Sequence, residues 1–369
     1  MQFIGFDPGY GLTKAVIGNK LDSVSKYVFP SFVETLANIM PPGKIVEKTN
    51  LYAQNFDETF LFRIDEKNYR IGRGISKTVN DIVFENVRDP DVIRLLLLSL
   101  IGFHQFKAEY EGAKDNEYAV GITVVPTTRK IIQEHFSIFE TNGKRLKGKH
   151  EVELYFDEET HFIVEFEISR VALIEQAYAA YKDFLFAKDD LTHFNEEENK
   201  VIAVIDIGTN TMNLFAVENF TKVLADKTIA NGPIYDLLQQ IKRLYAKHNI
   251  MRGDLFIMNQ IIENNFVFPV SENGKVVVKD FTENVNKIKD TIFYESFHKR
   301  FVDFQEEVTK KTNKIIDFII VGGGVKAFES QFKKFEVENS YVHVSSDPVF
   351  ANANGAWKEL YMRNLITKI

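Results

Sequence analysis

Two segments of similar pattern, about 200 residues apart, constrain the fold of this 369-residue chain more than any other feature. They are residues 3–17 and residues 201–217. In each segment an apolar run ends in Asp, a short turn rich in Gly and Thr follows, and a second apolar run continues the chain, as in a β-hairpin. Each first run is almost entirely apolar, which is typical of a strand in a sheet covered by helices on both faces. The repeat therefore predicts two domains of one plan, each beginning with a hairpin.

The size and charge of the chain restrict what it binds. A length of 369 residues exceeds the usual size of one compact core and agrees with two domains. The formal net charge of −7 argues against a general nucleic-acid-binding protein, which is normally basic, so no direct nucleic-acid contact is expected. The absence of Cys excludes disulfides, thiolate metal sites and Cys nucleophiles, and fits a reducing cytoplasm.

The longest apolar run, residues 92–103, contains Arg94 and is about a dozen residues long, whereas a membrane-spanning helix needs roughly 20. The run therefore predicts a buried helix. We expect no membrane contact and a cytoplasmic protein.

Other hydrophobic patterns predict the remaining elements of two α/β halves. In the first half they indicate a strand at 118–125, a helix at 127–139, a hairpin of 151–156 with 162–168, and an Ala-rich helix at 171–186. The charged and polar residues 188–200 predict a loop between the halves. In the second half they indicate a helix at 232–248, short strands with turns at 254–279, one long or two consecutive helices at 281–312, a strand at 315–321 and a C-terminal helix at 352–367.

The two hairpin turns have the composition of a phosphate and metal site. Gly lets the backbone approach an anion closely, and turn N–H groups and Thr hydroxyls donate to phosphate oxygens. Asp7 and Asp206 are repelled by phosphate, but a carboxylate can hold the hydrated Mg²⁺ that accompanies it. The simpler alternative is that Asp and Gly serve only the turn geometry. Turn geometry alone would explain a single hairpin turn of this composition. It gives no reason for two matched turns about 200 residues apart.

A third feature is the glycine run 322–324, which follows the predicted strand 315–321. Three glycines before a helix leave room for a flat ligand to lie against bare backbone. A plain turn from strand to helix is the alternative.

Across nearly the whole chain, five segments resemble, in the right order, the pattern of the actin, sugar kinase and heat-shock ATPase superfamily. Residues 7–14 and 206–211 resemble its two phosphate loops, 171–181 and 348–357 its two connecting helices, and 319–326 its adenosine motif. Within that superfamily the chain looks most like the ParM-like bacterial actins that segregate plasmids. The segments that carry this closer resemblance are 347–355, Phe29-Pro30-Ser31, residues 69–72 and, loosely, 121–126.

The resemblance implies an α/β, actin-like fold of the duplicated ribonuclease H-like type, with two similar domains flanking a nucleotide cleft. The first domain would comprise residues 1–171 and 347–369, with a smaller subdomain at roughly 31–95. The second would comprise residues 172–346, with a smaller subdomain at roughly 235–300. The implied activity is hydrolysis of ATP, with GTP as the alternative, and Mg²⁺ is the implied metal. The implied assembly is a head-to-tail filament that segregates plasmid DNA through a DNA-binding adaptor protein.

The same resemblance implies the site residues. Asp7 and Asp206 would hold the metal through water, and Glu175 would orient the attacking water, with the neighbouring Gln176 as the alternative because adjacent helical residues point about 100° apart. Lys14 would reach the β-phosphate. The remaining nucleotide-binding residues would be Gly9, Tyr10, Gly11, Thr13, Gly208, Thr209, Asn210, Thr211, Gly232, Gly322, Gly323, Gly324 and Lys326.

Two other classes of protein stay open at the level of the sequence. One is a non-polymerising enzyme of the same superfamily, either a small-molecule kinase or a polyphosphate phosphatase. Residues 206–211 do resemble the turn of the exopolyphosphatases, but there the turn begins the chain. The other is a nucleotide-dependent scaffold or chaperone-like binder with negligible hydrolysis.

Overall fold

A computed structural model describes thirteen stretches of the chain. They are residues 1–9, 11–20, 23–31, 33–36, 60–71, 89–112, 116–126, 132, 146–155, 161–186, 201–272, 274–338 and 340–366. Three sequence predictions fall largely or wholly outside these residues: the helix at 127–139, the loop at 188–200 and the contact from Tyr10. Much of the predicted subdomain 31–95 is outside them as well.

The described strands and helices have the following bounds. The strands are β1 (Gln2–Pro8), β2 (Leu12–Lys20), β3 (Ser23–Pro30), β4 (Val33–Leu36), β5 (Phe60–Ile64), β6 (Lys67–Ile71), β7 (Glu117–Val124), β8 (Gly148–Tyr155), β9 (His161–Glu175), β10 (Val201–Ile207), β11 (Thr211–Glu218), β12 (Lys222–Ala230), β13 (Val267–Glu272), β14 (Lys275–Asp280), β15 (Ile316–Val321) and β16 (Ser340–Val344). The α-helices are α1 (Pro90–Tyr110), α2 (Gln176–Leu185), α3 (Pro233–Lys247), α4 (Asp254–Glu263), α5 (Thr282–Ile292), α6 (Lys299–Thr309), α7 (Glu329–Phe332) and α8 (Ala351–Ile366). None of the described helices is long and apolar enough to cross a membrane.

The chain divides into two compact units, one formed by Met1–Asp189 with Asn352–Ile369 and the other by Asp190–Ala351. The first unit contains a nine-stranded sheet in the order β3-β2-β1-β7-β9-β8-β5-β6-β4. Strand β1 is antiparallel to β2 and parallel to β7, and β7 is parallel to β9. Helix α1 lies on β8 and β9, and its face of fully buried leucines, with Phe62 and Phe166 from the sheet, forms the core.

The second unit repeats the central part of this arrangement. Its five-stranded sheet has the order β12-β11-β10-β15-β16, with β10 antiparallel to β11 and parallel to β15, and β15 parallel to β16. The same order and directions hold for β3-β2-β1-β7-β9. In both hairpins the Asp pairs with the residue seven positions later, Asp7 with Lys14 and Asp206 with Asn213. This matched register confirms the predicted duplication of an α/β plan.

The predicted helix at 171–186 is wrong in its first turn, because residues 171–175 continue β9. They pair in parallel with β7, from Val171 opposite Val120 to Glu175 opposite Val124. Val171 and Leu173 also pack against the core of the first unit. Sheet hydrogen bonds therefore determine this segment, and the helix begins only at Gln176. Since α2 contacts β7 and β9, it groups with the first unit, so the unit boundary falls after residue 189 and not after 171.

The prediction of strands and turns at 254–279 is wrong for its first part, where α4 forms. Ile257, Met258 and Ile261 are buried, and this helical spacing places them on one side of α4. The second part forms the hairpin β13–β14, a separate two-stranded sheet. The long helical pattern at 281–312 is formed by α5, a π-helical turn at Phe293–His298 and α6.

Helix α8 lies so close to strand β1 and to helix α2 that each contact requires a glycine. A β-carbon on Gly5 of β1 would lie 1.9 Å from the carbonyl oxygen of Ala353. One on Gly355 would lie 1.7 Å from the carbonyl oxygen of Ala179 in α2. Trp357 fixes the helix further, because its indole N–H donates to the carbonyl oxygen of Gly18 at 3.0 Å.

We therefore predict that Gly355→Ala lowers the free energy of unfolding of the first unit by about 2–3 kcal/mol, the usual cost of overpacking a well-packed core. Urea unfolding followed by the fluorescence of Trp357, the single Trp, measures the change. Arg363→Ala, an exposed position on the same helix, is the control and should cost less than about 1 kcal/mol. Equal stability of the two variants would contradict the packing of α8.

Candidate functional site

The first hairpin turn is organised around the buried carboxylate of Asp7, which is 2% exposed. Its Oδ1 accepts hydrogen bonds from Thr123 Oγ1 at 2.6 Å and from Gln176 Nε2 at 2.9 Å. These donors come from the end of β7 and the start of α2, and they reach Asp7 because the carboxyl ends of parallel strands meet at one edge of a sheet. Such donors offset the cost of removing a carboxylate from water.

The second oxygen of Asp7 has a cationic partner. Lys14 Nζ lies 3.2 Å from Asp7 Oδ2, and the lysine side chain is 13% exposed. A β-carbon on Gly9 would lie 2.7 Å from the carbonyl oxygen of Leu12, which requires glycine, and 2.7 Å from the same Nζ, so the ammonium lies against the turn. Asp7 and Lys14 thus form a largely buried ion pair within the predicted phosphate loop.

The turn is held in place by two buried hydroxyls. Ser31 Oγ donates to the carbonyl oxygen of Gly9 at 2.6 Å, and Thr13 Oγ1 lies 2.8 Å from Ser31 Oγ. A hydroxyl has one proton, so Thr13 is the donor of the second bond. The Ser31 N–H also donates to the carbonyl oxygen of Gly11 at 3.2 Å. The Phe29-Pro30-Ser31 segment therefore has a physical role, which is to close the turn from the β3 side.

The second hairpin turn surrounds Asp206, also 2% exposed. Asn213 Nδ2 donates to Asp206 Oδ2 at 3.0 Å, and Thr228 Oγ1 donates to Asn213 Oδ1 at 2.9 Å. The turn closes through the Gly208 N–H, which donates to the carbonyl oxygen of Thr211 at 2.9 Å. Residues 208–210 at its tip are partly exposed, so this stretch of backbone is accessible to a ligand.

The glycine run after β15 fits against this second turn. Gly322 has φ +96°, and a β-carbon there would lie 2.4 Å from Asp206 Oδ1. A β-carbon on Gly324 would lie 2.5 Å from Ile207 Cγ2. Nothing lies within 4 Å of the corresponding position on Gly323, which leaves open space beside its backbone. Two of the glycines are thus explained by contact with the turn, and the third offers the bare surface that the sequence predicts.

The start of α3 completes the group in the second unit. Gly232 is the N-cap residue, and its N–H donates to the carbonyl oxygen of Asn210 at 3.2 Å. The first N–H groups of a helix have no partner within the helix and attract anions. The exposed Lys326 lies in the 3₁₀ turn Gly323–Phe328. The second unit therefore brings together all of its predicted site segments: the 206–211 turn, Gly232 and the 322–324 run.

At the start of α2, Glu175 and Gln176 have different surroundings. The Gln176 amide is hydrogen-bonded to Asp7, whereas Glu175 is the half-buried N-cap residue in extended conformation and makes no capping bond. The family pattern assigns the water-orienting role to Glu175, whereas the residue in contact with Asp7, the predicted metal carboxylate, is Gln176. Strand β9 continues to residue 175, so Gln176 is the first residue of the helix.

The metal chemistry of these residues fits a hydrated ion. Among the described residues there is no group of three or more His, Cys, Asp or Glu side chains placed to hold a metal directly. Each turn instead supplies one buried carboxylate. Mg²⁺ keeps several of its waters in proteins, and a carboxylate oxygen can accept hydrogen bonds from them. One buried carboxylate in a turn is a donor set that fits Mg²⁺ held through its waters.

Sequence reasoning did not identify Thr123, Ser31, Asn213 or Thr228 as part of these turns. One signal was available for Asn213: it lies seven residues after Asp206, as Lys14 does after Asp7. Thr123 had no local signal, because its contact with Asp7 joins residues 116 positions apart.

Protein-family models and curated proteins give no match to the chain, but solved structures match along its whole length. The archaeal actin homolog Ta0583 has a TM-score of 0.66 and 16% identity, with 99% of this chain and 100% of that chain covered. The actin-like protein Alp7A has a TM-score of 0.68 and 13% identity, with 99% and 97% covered. ParM of Bacillus thuringiensis with AMPPNP has a TM-score of 0.63 and 17% identity, with 100% and 99% covered.

Two further matches show these proteins in other states: Ta0583 in complex with ADP, and a 15-stranded ParM filament from Clostridium botulinum. At identities below 20% such similarity establishes the fold. The chain therefore has the actin-like fold.

Proposed function

We propose that this chain binds and hydrolyses a nucleoside triphosphate with Mg²⁺ and assembles into filaments. The observation that carries the proposal is the pair of matched hairpin turns, each with a buried Asp at the same position of its strand. Two structural neighbours contain bound nucleotide, AMPPNP in one and ADP in the other. We propose ATP as the substrate because both of these are adenine nucleotides.

In this proposal, each turn supplies groups that bind phosphate or metal. The backbone N–H groups of residues 209 and 210 donate to phosphate oxygens in the second turn, and the Lys14 ammonium does so in the first. Asp7 and Asp206 accept from the water ligands of the metal. When bound, Mg²⁺ would supply charge neutralisation of the β- and γ-phosphates, which is the main requirement of phosphoryl transfer.

The second unit supplies the surface for the nucleoside. The open side of Gly323 lets a flat base lie against the backbone, and the start of α3 at Gly232 lies beside the turn that takes the phosphates. Lys326 is exposed and can reach a ligand there. All these groups belong to one contiguous region of that unit.

We propose that Gln176 orients the attacking water. Its Nε2 already lies 2.9 Å from Asp7 Oδ1, so its amide is next to the carboxylate that would accept from the metal's waters. An amide can donate to one group and accept from a water with its oxygen. Glu175 remains the residue that the family pattern gives for this role.

We predict that Gln176→Ala lowers the nucleotide turnover number by on the order of 100-fold, the usual range for loss of a positioned acid–base or water-orienting group. Nucleotide affinity should change far less, since the phosphate donors remain. Glu175→Ala is the matched comparison and should keep most of the turnover. Steady-state phosphate release and nucleotide titration together measure both quantities. The opposite ranking of the two variants would return the role to Glu175.

Filament formation is the proposed consequence of the nucleotide cycle. A contact between two different surfaces of the same chain produces a filament when its rotation does not close into a ring. The matched ParM from Clostridium botulinum forms one. We further propose that the filament segregates plasmid DNA, and that a DNA-binding adaptor makes the link, because the net charge of −7 disfavours direct DNA binding.

Sedimentation and light scattering test the assembly. We expect self-association of the wild-type chain with Mg²⁺ and ATP, and its reversal as ATP is converted to ADP. Parallel samples with GTP, with ADP and without nucleotide define the specificity. A chain that stays monomeric with every nucleotide, across salt and Mg²⁺ concentrations, would contradict the filament proposal. Phosphorylation of a metabolite by such a monomer would support the kinase alternative.

A further inference from the structure

The two turns differ at the position that faces the carboxylate from the second strand. In the first hairpin Lys14 occupies it, and in the second hairpin Asn213 does. Lys14 Nζ lies 3.2 Å from Asp7 Oδ2, and Asn213 Nδ2 lies 3.0 Å from Asp206 Oδ2. The same strand register thus presents an ammonium in one turn and a neutral amide in the other.

The ammonium occupies the side of Asp7 that a metal ligand would need. Oδ1 already accepts from Thr123 and Gln176, so Lys14 takes the remaining oxygen. The pair is largely shielded from solvent, with side-chain exposures of 13% for Lys14 and 2% for Asp7. Charges in such surroundings are weakly screened, so a dication and an ammonium at the same carboxylate repel each other strongly.

Binding of an anion beside Lys14 would remove the repulsion between the ammonium and a metal ion at Asp7. Lys14 lies against the Gly9 backbone, since a β-carbon on that residue would lie 2.7 Å from Nζ. A phosphate bound at this turn would therefore meet the lysine directly and could take over the ion pair from Asp7. A lysine side chain has four rotatable bonds and changes partners without backbone movement.

We infer that Lys14 takes the place of the metal beside Asp7 in the nucleotide-free protein and is transferred to phosphate when nucleotide binds. This inference rests on the proposed nucleotide site and adds that metal binding and nucleotide binding are coupled through Lys14. The metal binds poorly at Asp7 until phosphate has drawn Lys14 away, so metal and nucleotide each strengthen the binding of the other. Such coupling is reciprocal by thermodynamic necessity.

The test is Mn²⁺ binding to the nucleotide-free protein, measured by the electron paramagnetic resonance signal of free Mn²⁺. Lys14→Asn reproduces the residue that the second turn carries at the same position, so the chain itself shows that this side chain suits the geometry. We expect Lys14→Asn to bind Mn²⁺ on the order of tenfold more tightly than wild type, within the usual range of coupling between sites. The variant should also bind ATP less tightly.

Lys20→Asn is the matched control, because it removes the same charge from an exposed position of β2 and should leave Mn²⁺ affinity unchanged. Lys14→Gln is a second variant, in case the shorter amide destabilises the turn; thermal unfolding reports the stability of each protein. Unchanged or weaker Mn²⁺ binding in both folded Lys14 variants would overturn the inference. A wild-type chain that binds no nucleotide would instead overturn the proposed function, and the two failures are therefore distinguishable.

Discussion

The organisation around both turns depends on the need to satisfy a buried carboxylate. An ionised Asp at a strand end, removed from water, must be surrounded by donors or charges. Asp7 obtains them from the neighbouring strand β7, the start of α2 and the paired strand β2. Asp206 obtains a donor from the paired strand β11. In each unit these contacts join the Asp at the end of the first strand to the residue opposite it on the second strand.

The second constraint is the need for glycine at positions where two strands or helices approach more closely than any side chain permits. Gly322 and Gly324 let the β15 end lie against the Asp206 turn, and Gly5 and Gly355 let α8 lie against β1 and α2. The first pair of contacts holds the Asp206 turn against the end of β15, and the second pair holds α8 against β1 and α2. Rigid supports of this kind place catalytic groups more accurately than a flexible loop would.

Local patterns predicted most of this fold, and long-range contacts account for the errors. The hairpins, the buried strand β15 and the helix α3 have clear patterns within a short window, and α1 contains a continuous apolar run. The start of α2 could not be located in this way, since residues 171–174 are apolar and suit either conformation, and only the parallel pairing with β7 selects the strand. The same shift explains why the sequence pointed to Glu175 while the structure brings Gln176 to Asp7. Helix α4 was missed because its apolar residues suit a strand equally well out of context.

The central claim is that the buried carboxylates of Asp7 and Asp206 each support Mg²⁺-dependent nucleotide binding. The most direct measurement is the nucleotide affinity of Asp7→Asn and Asp206→Asn, each with Mg²⁺ and with the metal chelated. The account predicts that each substitution weakens binding by on the order of 10–100-fold with Mg²⁺, as for other residues that hold a metal's surroundings, and changes it little without metal. Asp303→Asn, an exposed position on α6, should have no effect. Full Mg²⁺-dependent affinity in either variant would contradict the account.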